Sequence, residues 1–171
     1  MKILILNGSP HTKGNTKALV EAFAKGALSA GHSVVEFPVA AMNIKACFGC
    51  EYCHNKGNGA CIQKDDMEKI YPELATADMV VFASPVHYFG FSGQLQSALS
   101  RFYAPFQPGA KKYAMILSSG SPDVYAGLEA QYKAMMAFFG AEDLGIKEVN
   151  GAANKTDTVL ADLETFGASI E

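Results

Sequence analysis

The opening sixteen residues constrain this chain more than any other stretch. Lys2 to Asn7 holds the apolar run Ile3-Leu4-Ile5-Leu6, which stops at Asn7 and opens into Gly8-Ser9-Pro10-His11-Thr12-Lys13-Gly14-Asn15-Thr16. A continuous apolar run marks a strand buried on both faces, so helices must cover the sheet on each side. Ala18, Leu19, Ala22 and Phe23 recur at helical spacing and place the start of a helix near Asn15. Its unpaired amides and positive dipole end then face the loop. Gly8 and Gly14 suit turns closed to other residues, and Ser9, Thr12, Asn15 and Thr16 surround one small volume with hydrogen-bonding side chains. The loop reads as a cradle for a phosphate, with Ser9, His11, Gly14, Asn15 and Thr16 as candidate contacts. The same residue types would also serve an ordinary capped turn.

The remainder continues the alternation. A helix over 16–30 ends at Gly31, and a second strand over 33–37 ends at Pro38. A long segment without sustained periodicity follows. Helical spacing resumes over 65–77, a short buried strand covers 79–83, and helices over 92–106 and 128–139 flank a strand over 113–117. A weaker fifth strand over 144–149 precedes a last helix over 156–168. Strand–helix alternation throughout implies a mostly parallel sheet with right-handed crossovers. With 171 residues, one domain over 1–171 is expected, carrying a cysteine-rich insertion loop at 41–64.

A net charge of -3 argues against a nucleic-acid surface, so a ligand's charge must be met locally. The first apolar run is too short for a signal-peptide core and no later stretch approaches a membrane span. A cytoplasmic protein is expected. Its four cysteines, confined to 47–61, would there stay reduced, which points to metal or redox chemistry.

In an open parallel sheet, ligands bind beyond the carboxyl ends of the strands. Three loops leave such ends: Gly8 to Thr16, Ser84 to Phe91, and Ser118-Ser119-Gly120-Ser121. The first has neither the triphosphate-loop nor the dinucleotide glycine order, which favours a mononucleotide and points to FMN. Pro85, Val86, His87, Tyr88, Phe89 and Gly90 offer a flat apolar wall for an aromatic ring, His87 itself reading as a packing residue. Phe89, Phe91, Phe102, Tyr103 and Phe106 form an aromatic-rich region suggestive of a subunit interface.

Gly-Ser-Pro at 8–10, Gly-Asn-Thr at 14–16 and Ser-Pro-Val-His-Tyr at 84–88 are similar to the flavodoxin-like NAD(P)H-dependent FMN reductases. The resemblance implies a flavodoxin-like three-layer α/β sandwich with a five-stranded parallel sheet in the order 2-1-3-4-5. It also implies FMN phosphate on Ser9, Asn15 and Thr16, and the flavin ring against Pro85 to Gly90 and Ser118 to Ser121. His11 stands where arginine is common, and Gln96 and Ser100 where lysine and aspartate are common before Arg101. Cys47, Cys50, Cys53 and Cys61 resemble the compact motif of the iron-sulfur flavoproteins, which implies a [4Fe-4S] cluster on four thiolates. Zinc on the same ligands, or plain thiols beside the flavin, are the alternatives. The expected function is an FMN-dependent oxidoreductase with NAD(P)H as a possible donor and a small molecule or redox protein as acceptor. The chemistry would rest in the flavin with no side-chain acid or base, in a homodimer or homotetramer. A non-catalytic electron carrier or metal-binding module is the second reading.

Overall fold

The computed structural model describes residues 1–104 and 108–171. Five parallel strands, β1 (Lys2–Asn7), β2 (Ser33–Phe37), β3 (Met79–Pro85), β4 (Lys112–Ser119) and β5 (Glu142–Asn150), lie in the order β2-β1-β3-β4-β5. The expected flavodoxin-like architecture is therefore observed. Strand order reverses at β1, so the loops after β1 and β3 diverge and leave a crevice between them.

The buried strand residues alternate between two cores, as the pleat requires. Ile3, Ile5, Val81 and Ile116 pack under α1 (Asn15–Ser29) and α6 (Asp157–Ala168), with Leu19, Phe23 and Leu163. Leu4, Leu6, Val80, Phe82 and Met115 face the other side. There they meet α3 (Met67–Thr76), α4 (Gly93–Ser100) and α5 (Ala126–Phe139) through Ile70, Leu95 and Leu128. The first pair of helices touch backbone to backbone. A Cβ on Gly26 would lie 1.8 Å from the Glu164 carbonyl oxygen, and one on Gly167 would lie 2.0 Å from that of Phe23.

Several boundaries differ from the sequence reading, each for a local reason. The fifth strand is longer than expected because its weak pattern hides a bulge: register shifts between Tyr113 and Met115 of β4. Gly145 adopts φ +137°, and Asp143 Oδ1 accepts from the Gly145 amide and the Tyr132 hydroxyl. The helix expected over 92–106 is α4, capped by the Ser92 side chain accepting from the Leu95 amide, followed by a 3-10 turn over Arg101–Tyr103. Its expected end at Phe106 lies outside the described residues. Asp65 and Asp66 precede α3, where Asp65 Oδ1 accepts from the Met67 amide. The long segment after β2 contains only a 3-10 turn (Val39–Ala41) and one helical turn, α2 (Tyr52–Asn55).

Candidate functional sites

The first loop fixes itself before any ligand arrives. The Gly8 amide donates to the Ala83 carbonyl at the end of β3, and the Ser9 amide to Asn7 Oδ1. Asn7 Nδ2 and Lys17 Nζ both donate to the Glu36 carboxylate on β2. Lys17, partly buried, would lose basicity on that account alone, but the Glu36 carboxylate more than offsets this and raises its pKa. The ammonium is thereby committed within the fold, and the first turn of α1 keeps no free lysine. Neither Gly8 nor Gly14 has positive φ, so their role is space, not the special turn conformation expected. A Cβ on Gly8 would meet Ser92 Oγ at 2.5 Å, and one on Gly14 would meet His11 Cβ at 2.8 Å. Gly14 is the N-cap of α1, and no side chain caps the helix. That distinguishes this turn from an ordinary capped one: the first amides of α1 keep their hydrogen-bonding capacity.

These amides open into a pocket at the carboxyl end of the sheet. Ser9, His11, Gly14, Asn15 and Thr16 form one side, Pro85, Val86 and His87 a second, and Ser118, Ser119 and Gly120 a third. Gly151 and Asn154, after β5, complete it. Thr16 Oγ1 and Ser118 Oγ are hydrogen-bonded at 2.7 Å, tying the first loop to the end of β4, and the Val86 amide donates to the Ser118 carbonyl. Ser119 Oγ is turned inward, donating to the Ser121 carbonyl and bonded to the Tyr125 hydroxyl. Buried Asn154 donates through Nδ2 to the Ser119 and Gly151 carbonyls, while its Oδ1 has no partner among the described residues. That acceptor fits a ligand bearing an N–H group. A mononucleotide with an aromatic ring therefore suits the pocket: amides and hydroxyls at one end, Pro85 and Val86 along it, and an oriented acceptor at the far wall.

Four of the expected contacts, Tyr88, Phe89, Gly90 and Ser121, are outside the lining of this pocket. Tyr88 is 97% and Phe89 60% exposed at the tip of a two-residue hairpin, where the His87 and Gly90 amides donate to each other's carbonyls. Both tip residues have positive φ, +48° and +66°, which bulky residues rarely tolerate. The aromatic region also divides. Phe91 and Phe102 are core residues, whereas Phe89 and Tyr103 are exposed and Phe106 lies outside the described residues. Gly151 and Asn154 escaped the sequence reading although Asn150-Gly151 breaks β5 much as the other loops break their strands.

The cysteine loop is organised differently. Its two stems are zipped together: the Asn43 and Lys45 amides donate to Asp66 Oδ2 and Asp65 Oδ2, and Gln63 Nε2 donates to the Ala46 carbonyl. Between the stems the chain turns through Gly49 and Glu51, both at positive φ. Gly57 is tightly enclosed, since a Cβ there would lie 2.2 Å from the Ala60 carbonyl oxygen. All four thiols are free, and Cys47, Cys50, Cys53 and Cys61 line one small cavity with Glu51, Arg101 and Tyr103. Burial, joined by neighbouring Cys61 and Cys47, pushes the Cys53 thiol up. Among the described residues no three His, Cys, Asp or Glu side chains stand at the spacing that holds a metal ion. The donor set is all thiol and faces one cavity, which suits a soft metal or iron-sulfur centre in kind, though closing on one requires the side chains to converge.

The chain belongs to the NADPH-dependent FMN reductase family, whose sequence profile matches residues 1–156. It is 33% identical over 131 residues to an iron-sulfur flavoprotein of Archaeoglobus fulgidus, which covers 75% of this chain and 56% of that one. An iron-sulfur flavoprotein of Methanocaldococcus jannaschii is 32% identical over 143 residues, 81% of this chain and 71% of that one. The chain thus spans little more than half of the Archaeoglobus relative. In fold it is similar to the NAD(P)H:quinone oxidoreductase from Methanothermobacter marburgensis, with a TM-score of 0.77 at 18% identity, covering 100% of this chain and 99% of that one. Among the described residues no helix is long and apolar enough to cross a membrane.

Proposed function

We propose that this chain is an FMN-dependent oxidoreductase moving electrons between a reduced nicotinamide or protein donor and a small-molecule or protein acceptor. The observation that carries the reading is the uncapped amino end of α1 inside a pocket shared by the loops after β1, β3, β4 and β5. The first amides of α1, with Ser9 and Asn15, would bind the phosphate. With Lys17 committed to Glu36, these neutral donors and the helix dipole carry the electrostatic part of recognition. Pro85 and Val86 would support the ring, the amides of the 118–120 turn would bond its polar edge, and Asn154 Oδ1 would accept from a ring N–H. Bound there, FMN supplies hydride acceptance and one-electron release. The chain's own part is to fix the ring and shield one face. Tyr88, Phe89 and Gly90 we place beside an acceptor or second subunit, not beneath the ring.

We further propose that Cys47, Cys50, Cys53 and Cys61 hold a [4Fe-4S] cluster, supported by the shared cavity and the all-thiol donor set. The cluster would carry single electrons to or from the flavin. Assembly as a homodimer or homotetramer, through the exposed Phe89, Tyr103 and Phe138 side chains, completes the proposal.

Three measurements test it. Titration of the purified chain should give tight FMN binding and none for FAD. Anaerobic mixing with NADH or NADPH separates a reductase, whose flavin bleaches rapidly, from a passive carrier, whose flavin does not. Iron, acid-labile sulfide and zinc analysis of anaerobically purified protein decides the metal: iron and sulfide sustain the cluster, zinc alone overturns it.

A further inference from the structure

Arg101 is the only arginine in the chain and one of its most buried side chains, at 1% exposure. It follows α4 directly and reaches under the cysteine loop. One nitrogen does two jobs: Nη1 donates to Asp65 Oδ2 at 2.6 Å and to the Lys45 carbonyl at 2.9 Å. Lys45 precedes Cys47 and Asp65 follows Cys61, so this nitrogen closes both stems of the loop at once. The adjoining residue helps, since the Cys47 amide donates to Ser100 Oγ. The other two nitrogens, Nε and Nη2, are buried without an acceptor among the described residues. Arg101 lines the same small cavity as all four cysteines.

A buried guanidinium that leaves two donor nitrogens unbonded is strongly unfavourable unless an acceptor arrives. The cavity it lines offers two side-chain oxygen acceptors, and neither is bonded to Nε or Nη2: the Glu51 carboxylate accepts from the Tyr103 hydroxyl, and Gln63 Oε1 is itself buried and unbonded among the described residues. What the cavity does hold is sulfur. Once metallated, thiolates are anionic acceptors, and a centre with four of them carries net negative charge that this acidic protein must compensate locally. Asp65 neutralises one edge of the guanidinium and leaves its donor edge free.

We infer that Arg101 is the positioning residue of the four-cysteine centre, clamping both loop stems through Nη1 and donating Nε–H and Nη2–H to the cluster's thiolate sulfurs. The inference rests on the cluster proposed above and adds a partner that the cysteine spacing does not disclose. Hydrogen bonds to the sulfurs stabilise the more negative, reduced form, so Arg101 raises the reduction potential.

Because the chain has one arginine, growth on guanidino-15N-arginine labels this guanidinium alone. The anaerobically loaded full chain, reduced and read by pulsed hyperfine spectroscopy, should show a nitrogen-15 coupling to the cluster. Arg101→Lys keeps a cation for Asp65 but removes the forked donors. In the fraction of that variant that loads iron and sulfide, the one-electron reduction equilibrium should be shifted at least tenfold, about 59 mV lower in midpoint potential. A loaded native chain with no nitrogen-15 coupling, or Arg101→Lys with native potential, overturns the inference and leaves the cluster standing. A native chain that binds no iron and sulfide overturns the cluster and this inference together.

Discussion

The phosphate-side pocket and the cysteine cavity lie on the same molecule but are built by opposite means. The first is made of strand ends. Its parts lie on the loops that leave the carboxyl ends of β1, β3, β4 and β5, and main-chain bonds such as Gly8 to Ala83 and Val86 to Ser118 hold it. The second lies on a long connection that owes its shape to side chains far apart in sequence: Asp65, Gln63, Ser100 and above all Arg101. Sheet register sets the geometry of the first pocket, and a handful of polar contacts set the cysteine side. The two should therefore fail independently.

The largest separation is expected from Cys50→Ala. The chain has four cysteines, so a four-thiolate cluster has no substitute ligand, and iron and sulfide should be lost entirely while FMN stays bound. Loss of FMN in that variant would show the two sites to be one.

Asp65→Asn comes next. The pair it breaks is buried on both sides, 1% and 3% exposed, and an uncompensated buried guanidinium costs about 3–5 kcal/mol. Proteolysis and hydrogen exchange should report this over 43–66, with the protection of β1 and β3 retained. The same carboxylate gives a pH signature. Burial alone would raise the Asp65 pKa, but the Arg101 guanidinium and the Lys45 and Met67 amides more than offset this and hold it below the usual carboxylate range. Its contribution is therefore fully present above the unfolded value, about 3.9, and is lost as pH falls through the depressed folded value. Acid titration of loop protection should show that loss in the native chain, and Asp65→Asn should lack it.

On the other side, Ser9→Ala with Asn15→Ala should weaken FMN binding without touching iron content. Each lost hydrogen bond to a charged phosphate is worth roughly 1.5–3 kcal/mol, so affinity should fall at least tenfold. Unchanged binding would mean that the loop is only a turn.

The smallest effect is assigned to Tyr88→Asn. Asparagine tolerates the left-handed region that Tyr88 occupies, so thermal stability should rise by up to about 1 kcal/mol, with FMN affinity within twofold of native. A large loss of FMN would return Tyr88 to the flavin wall.

The same contrast governs what could be read in advance. Strand order, the first loop and the Ser84–Pro85 break were legible because burial on two faces and chain breaks leave local marks in the residues concerned. The fifth strand was blurred because Asp143 and Gly145 serve a bulge, and a bulge interrupts the periodicity that reveals a strand. Asn154 and Arg101 were not legible. Each matters through what it leaves unbonded once distant segments meet, and no spacing along the chain encodes an orphaned atom. The exposure of Tyr88 and Phe89 was hidden for a related reason. Aromatic character suggested a wall, but the two-residue hairpin that turns them outward depends on backbone dihedrals.

The backbone contact between α1 and α6 bears on the anion site at a distance. With Gly26 against Glu164 and Gly167 against Phe23, α1 is bolted at its far end to a neighbour that leaves no slack for a methyl group. That close approach opposes sliding or rotation of α1. The donors are thus immobilised during folding, before any nucleotide is met, and the entropic toll of ordering them falls outside the binding step. A mutation at Gly26, about three helical turns from the first loop and touching nothing there, would loosen the grip on a ligand.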